Sequence, residues 1–226
     1  MSTGRILAII GMVVAIAVVV PFFLVDPLDE KRLEGLPWQV EVLPDGTSRV
    51  FAIHVGEDSL EEAARKLGPG MEVAIVSMLK EQGSLEAYWD GFSAAGVLTG
   101  KLILLLEPGE GRLEGMRRRV VTVDYTGTGA KKMRLHPDDV PAALAARVMA
   151  ITFIPTVDFD EEVVRQRFGV PARRLRDATG AEHFLYPRIG LDLILHEKGK
   201  EVLQYVAPRD FERLTRPLEE APPAVR

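Results

Sequence analysis

The stretch SLEEAARKLGPG, residues 59–70, decides the expected fold, because its pattern returns in DEEVVRQRFGVP, residues 160–171. In both stretches a capping residue precedes acidic residues and a helical apolar face, and glycine then ends the helix with proline close behind. Ser59 and Asp160 are the expected N-caps, and Glu62 completes a capping box with Ser59. The sequence therefore predicts one structural unit that is used twice.

Segments typical of β-strands follow each of the two helices. Each set is rich in β-branched, aromatic and leucine residues and is divided by turn residues, which favours an antiparallel meander. A short helix on three strands buries little apolar surface alone, so two units together supply a larger core. The first set is MEVAIVSM (71–78), SLEAYWDGFS (84–93) and VLTGKLILLLE (97–107), and the second is EHFLYP (182–187), IGLDLILHE (189–197) and EVLQYVAP (201–208).

The expected fold class is α+β, with an N-terminal transmembrane helix followed by tandem units of a short helix plus an antiparallel three-stranded meander. The connecting segment is expected to hold a short helix, a hairpin at 120–135 with the turn TGTG, and a regular helix that begins near 139–141. Asp45-Gly46 predicts a further hairpin between strands near 38–43 and 48–55. The predicted boundaries are a transmembrane signal-anchor at 1–25, a linker at 26–36, the first unit at 37–110, the connecting segment at 111–157, the second unit at 158–215 and a disordered tail at 216–226.

The second helix and its strands, DEEVVRQRFGVPARRL and HFLYPRIGLDLILHEKGKEVLQYV, resemble the repeat of SmpA/OmlA (BamE-like) envelope proteins and of the β-lactamase-inhibitor-protein fold. More broadly, the whole chain resembles a proteobacterial family of membrane-anchored proteins. The resemblance implies a fold whose known members bind other proteins, although no cysteine is present to carry the lipid of a lipoprotein. The matching positions are Phe168-Gly169-Val170-Pro171, Tyr186, Gly190-Leu191 and Gly199.

An uncharged apolar run, ILAIIGMVVAIAVVVPFFLV, occupies residues 6–25. A helix of this length crosses the hydrocarbon core of a bilayer, which is roughly 30 Å thick. A cleaved signal peptide is the alternative, but its apolar core is usually shorter, and no A-x-A-like site follows the run. Small residues on one face of such a helix allow a second transmembrane helix to pack closely. Those residues are Gly4, Ala8, Gly11 and Ala15.

These features predict a single-pass inner-membrane protein that contacts the lipid bilayer through residues 6–25 and places its C-terminal domain in the periplasm.

The soluble part offers few residues for a reaction. The net charge of −5 argues against a general nucleic-acid binder, and the absence of cysteine excludes a thiol nucleophile. His183 and His196 could meet across adjacent strands, but no HExxH pattern supports a zinc site. The acidic residues at 158–162 suit the start of a helix. The sequence therefore predicts no catalytic residue, no cofactor and no metal.

The aromatic residues Tyr88, Trp89 and Phe92 give a better indication of function. Neighbouring residues on a strand point to opposite faces, so Tyr88 and Trp89 cannot both enter one core, and one of them can form a partner surface. A two-sided core or lipid contact explains the same pattern. We therefore expect a membrane-anchored periplasmic protein-binding module without catalysis, whose partner is another membrane or envelope protein. An accessory subunit or assembly factor of a membrane enzyme complex is the alternative, and a hydrolytic enzyme is a minor one.

Overall fold

A computed structural model describes residues 33–78, 82–127, 129–196 and 199–220. The chain divides into two compact units, Met1–Glu34 and Gly35–Arg226, and the second unit is the one described below. Its strands are β1 (Glu41–Val42), β2 (Ser48–Val50), β3 (Ile53–Val55), β4 (Glu72–Ser77), β5 (Ser84–Ala94), β6 (Leu98–Glu107), β7 (Thr122–Tyr125), β8 (Lys131–Arg134), β9 (Arg147–Pro155), β10 (Arg173–Arg176), β11 (Glu182–Tyr186), β12 (Leu191–Leu195) and β13 (Val202–Val206).

The helices of the described residues are short and lie between these strands. They are α1 (Leu60–Leu67), α2 (Arg112–Arg118), α3 (Val140–Leu144), α4 (Glu161–Phe168) and α5 (Glu212–Glu220). Single turns of 3-10 helix occur at Pro137–Asp139, Pro187–Ile189 and Pro208–Asp210.

Ten strands form one large antiparallel sheet in the order β10-β11-β12-β13-β9-β6-β5-β4-β8-β7, and β1, β2 and β3 form a small sheet. The predicted α+β class with tandem helix-plus-meander units is therefore wrong, and so is the predicted tandem repeat. The fold is mostly β, and its ten strands form one sheet because β9 pairs with β6 on one side and with β13 on the other. These two pairings join the strands of both predicted units into a single sheet.

The alanine-rich sequence HPDDVPAALAARVM (136–149) predicts a helix and AITFIPTV (150–157) predicts a strand, but the last three residues of the predicted helix belong to β9. Helix α3 ends at Leu144, and β9 begins at Arg147. The residues of β9 alternate between buried and half-buried positions, so its fit between two neighbouring strands outweighs the helix propensity of the alanine-rich sequence.

No helix in the described parts of the chain is both long and apolar enough to cross a membrane. This finding gives the predicted single-pass, signal-anchored architecture no support. The predicted span at residues 6–25, and the small-residue stripe at its start, lie outside the described residues. The predicted stripe consists of Gly4, Ala8, Gly11 and Ala15.

One face of the large sheet carries the hydrophobic core. A row of directly opposed residues crosses five strands there, and every member is buried. Burial of a large apolar side chain contributes about 1.5–3 kcal/mol relative to its exposure, so this row stabilises the junction of the sheet. Its members are Trp89, Leu102, Phe153, Leu203 and Leu193.

Both helix starts and helix stops lie where the sequence predicts them. Ser59 and Glu62 form the reciprocal capping box of α1, and the carboxylate of Asp160 accepts the backbone N–H of Val163 at 2.7 Å to cap α4. Gly68 and Gly169 end the two helices with positive φ. The ends of these two helices were thus predicted correctly, although the pairing of the strands was not.

The single strand predicted at 48–55 forms two strands of the small sheet, β2 and β3. Phe51 and Ala52 adopt φ values of 53° and 64°, so the chain reverses between β2 and β3. Positive φ at both central residues is the geometry of a two-residue hairpin turn and is costly for residues other than glycine. The ring of Phe51 packs against Phe153 at 5.3 Å between centroids, and this burial offsets the backbone strain.

Candidate functional site

Exposed apolar side chains concentrate at the end of the large sheet formed by β7. Val121, Val123 and Tyr125 are 54%, 47% and 68% exposed. Strand β7 pairs with β8 on its inner side, and it is the last strand in the order of the sheet that the structure describes. The outer side of Thr122–Tyr125, termed the β7 edge below, therefore combines a strand backbone with apolar side chains.

The β7–β8 hairpin determines which backbone groups point outward. The N–H of Thr126 donates to the carbonyl of Ala130 at 2.8 Å, and the N–H of Gly129 donates back to Thr126 at 2.9 Å. Hydrogen-bonded and non-bonded pairs alternate along an antiparallel ladder. The peptide groups of Val123 and Tyr125 consequently face away from β8 and can pair with an additional strand.

The opposite end of the sheet has a hairpin with the same hydrogen bonds. The N–H of Asp177 donates to the carbonyl of Ala181 at 3.0 Å, and the N–H of Gly180 donates back to Asp177 at 3.1 Å. The same alternation turns the peptide groups of Arg174 and Arg176 outward. The outer side of Arg173–Arg176, termed the β10 edge, is therefore the structural counterpart of the β7 edge.

The side chains of the β10 edge are held by ion pairs. Arg174 bonds to Glu161 at 2.8 and 3.1 Å and to Glu182 at 2.7 Å, and its guanidinium lies 4.4 Å from the centroid of the Phe184 ring. Hydrogen bonds to Glu182 and Glu161 raise the pKa of Arg174. Hydrogen bonds from Arg176 and Arg174 lower the pKa of Glu182. Charged side chains along an edge disfavour the addition of a further strand.

The three predicted partner-surface residues lie elsewhere in the fold. Trp89 is 3% exposed on the core face and donates its indole N–H to the carbonyl of Gly68 at 3.1 Å. Phe92 is half-buried, with its ring 5.3 Å from that of Phe51. Tyr88 occupies the other face of the sheet and is 8% exposed. Its hydroxyl donates to Glu72 at 2.7 Å, and the amine of Lys132 lies 4.3 Å from its ring centroid. The expected partner surface at these residues stays a prediction, and their large side chains are less exposed than those of Val121, Val123 and Tyr125.

A buried acid–base pair lies beneath the β10 edge. His183 Nδ1 and Asp192 Oδ2 are 2.8 Å apart, and His183 Nε2 lies 3.7 Å from Asp177 Oδ2. Burial alone lowers the pKa of His183, but the hydrogen bond and charge of Asp192, with the charge of Asp177, outweigh it and raise the pKa above 6.5. His183 is 5% and Asp192 1% exposed. Both groups therefore lie inside the fold, away from the surface that a substrate could contact.

The other candidate groups for chemistry also have structural roles. His183 lies opposite Ile194 in the ladder and bonds to Asp192, so its bonded partner is not His196 as considered from the sequence. In the acidic stretch at 158–162, Asp160 caps α4 and Glu161 binds Arg174. Among the described residues, no group of three or more histidine, cysteine, aspartate or glutamate side chains could hold a metal ion.

Comparisons with known proteins find no family model, no curated protein and no solved structure that matches the chain. The resemblance to the BamE-like repeat therefore stays a prediction. The sheet edge, described from its own geometry, is the feature on which a function can be argued.

Proposed function

We propose that the unit formed by residues 35–220 is a protein-binding module that adds an extended segment of a partner protein to the β7 edge. In strand addition the main-chain hydrogen bonds supply affinity, and alternate side chains of the added segment select the partner. The β7 edge offers the outward peptide groups of Val123 and Tyr125 together with their apolar side chains. This combination is the observation that carries the proposal.

The β10 edge supports the proposal by contrast. Exposed strand edges are aggregation hazards, and native proteins commonly place charged residues on them. Arg174 and Arg176 occupy the outward positions of β10, whereas Val123 and Tyr125 occupy those of β7. Arginine occupies the β10 edge, whereas valine and tyrosine occupy the β7 edge. This contrast favours the addition of a partner strand at the β7 edge.

Site-specific photo-crosslinking in cells tests this proposal. A photoreactive amino acid replaces Tyr125 in the full chain, and the matched control carries it in place of Arg176, whose side chain is similarly exposed at 58% against 68% for Tyr125. We expect a discrete protein adduct from position 125 and none from position 176. Adducts of equal yield at both positions, or none at position 125, would overturn the proposal.

A further inference from the structure

The β7 edge lies within a basic part of the chain. Residues 112–134 contain seven arginine and lysine residues but only two acidic residues, although the whole chain has a net charge of −5. Arg117 and Arg118 lie in the last turn of α2, immediately before β7. Their side chains are 36% and 74% exposed. The segment that leads into β7 is therefore positively charged.

Strand β8 places further positive charge directly beside the β7 edge. Arg134 is paired with Thr122 on the face opposite Val123 and Tyr125, whereas Lys131 is paired with Tyr125 and shares the face of its side chain. Intramolecular acids neutralise part of the local charge, since Lys132 binds Glu72 at 2.9 Å and Arg119 binds Asp139. Glu114 lies 3.5 Å or more from the guanidinium groups of Arg117 and Arg118, so it neutralises them incompletely.

We infer that the segment bound at the β7 edge is an extended acidic peptide in which apolar residues alternate with aspartate or glutamate. This inference rests on the proposed function. The apolar side chains would lie on the face of Val123 and Tyr125, and the acidic ones would lie on the opposite face, where Arg134 and Lys132 outnumber Asp124. A second copy of this chain fits less well, because pairing β7 with β7 brings two basic segments together.

Fluorescence anisotropy with the full chain tests the charge and the strand separately. The probe is a labelled peptide of about six residues, the usual length of a strand, in which glutamate alternates with valine. Three comparison peptides replace glutamate by lysine, replace valine by proline, or contain glutamate alone. We expect the glutamate–valine peptide to bind about tenfold more tightly than each of the other three.

Two variants locate the binding on the chain. Val123→Pro removes an outward N–H that the β7–β8 ladder does not use, and Arg174→Pro makes the matched change on β10. We expect about tenfold weaker binding for Val123→Pro and unchanged binding for Arg174→Pro. The double variant Arg117→Gln/Arg118→Gln removes two positive charges outside the strand and places no acid in the last turn of α2, so it tests the charge separately from the strand. We expect it, and also raised salt, to weaken binding several-fold.

Four results would overturn the inference. They are equal affinity for the lysine peptide, equal affinity for polyglutamate, binding unchanged both in Val123→Pro and in the double variant at Arg117 and Arg118, and self-association of the chain that Val123→Pro abolishes. If position 125 still crosslinks to a protein in cells while the acidic peptide fails, the inference falls and the proposed function stands. If position 125 also gives no adduct, the proposed function falls with it.

Discussion

The two end hairpins of the large sheet share one backbone design and differ in their side chains. In each, the same two hydrogen bonds close the turn, and a glycine with positive φ comes just before the second strand, Gly129 at 83° and Gly180 at 90°. On the outward positions, Val123 and Tyr125 of β7 correspond to Arg174 and Arg176 of β10. The comparison teaches that backbone geometry makes an edge available, whereas the side chains at the outward positions decide whether a further strand can pair with it.

The largest expected difference concerns the carboxylates that hold each hairpin in place. Asp192 is buried with its partner His183, whereas the partner of the buried Asp139, Arg119, is 57% exposed. We expect Asp192→Ala to lower the free energy of unfolding by about 3 kcal/mol, because a buried pair loses one member. Asp139→Ala should cost only about 1 kcal/mol, because water can hydrate Arg119. Urea denaturation of both variants checks this, and equal losses would contradict the account.

The next largest effect comes from exchanging the side chains of the two edges. Val123→Arg/Tyr125→Arg gives β7 the outward residues of β10, and we expect it to lose the about tenfold preference, or 1.4 kcal/mol, for the glutamate–valine peptide over the peptide of glutamate alone, because the apolar contacts are removed while positive charge is kept. Arg174→Val/Arg176→Tyr should make the β10 edge prone to pairing, visible as self-association in sedimentation velocity. An exchange that leaves both properties unchanged would show that side chains do not distinguish the edges.

A third prediction tests whether the two hairpin backbones are equivalent. Gly129→Ala and Gly180→Ala each place a Cβ on a residue with positive φ, and each should lower the free energy of unfolding by about 1 kcal/mol. Neither added Cβ meets another atom within 4 Å, so backbone strain is the whole effect. A clearly unequal cost, measured by thermal denaturation, would show that the loops are not equivalent.

The smallest expected effect is a dependence of stability on pH that arises from His183, next to the β10 edge. The pKa of His183 is raised above 6.5 in the folded state, so its protonation stabilises the fold. This contribution is complete below pH 6.5 and is lost as the pH rises through the folded pKa. His183→Gln should remove that slope, whereas Lys132→Gln, at the corresponding position of β8, should keep it. Urea titrations between about pH 6 and 8.5 distinguish these outcomes.

The sequence predicts the local elements of this fold well and their assembly poorly. The helix caps at Ser59 and Asp160, the stops at Gly68 and Gly169, and the hairpin at 120–135 are all present. Each depends on residues that are close together in sequence. The joining of β6, β9 and β13 depends on contacts between distant segments, and no local pattern encodes those pairings.

The candidate site was missed for related reasons. Strand β10 was not predicted, because its sequence RRLR has little strand propensity and gains its pairing from β11. Without that strand, the sequence reveals no contrast between the two edges. Tyr88, Trp89 and Phe92 attract attention as aromatics, but burial could not be judged before the neighbours of β5 were known. The alternation of valine and tyrosine with polar residues in TVDY was the available signal for β7.

Amide hydrogen exchange, followed residue by residue while the acidic peptide is added, tests the central claim most directly. The amides of Val123 and Tyr125 point outward at one edge, and those of Arg174 and Arg176 point outward at the other. The account predicts that the peptide slows exchange at Val123 and Tyr125 and leaves Arg174 and Arg176 unchanged. Slowed exchange at the β10 edge, or unchanged exchange at β7 under saturating peptide, would contradict it.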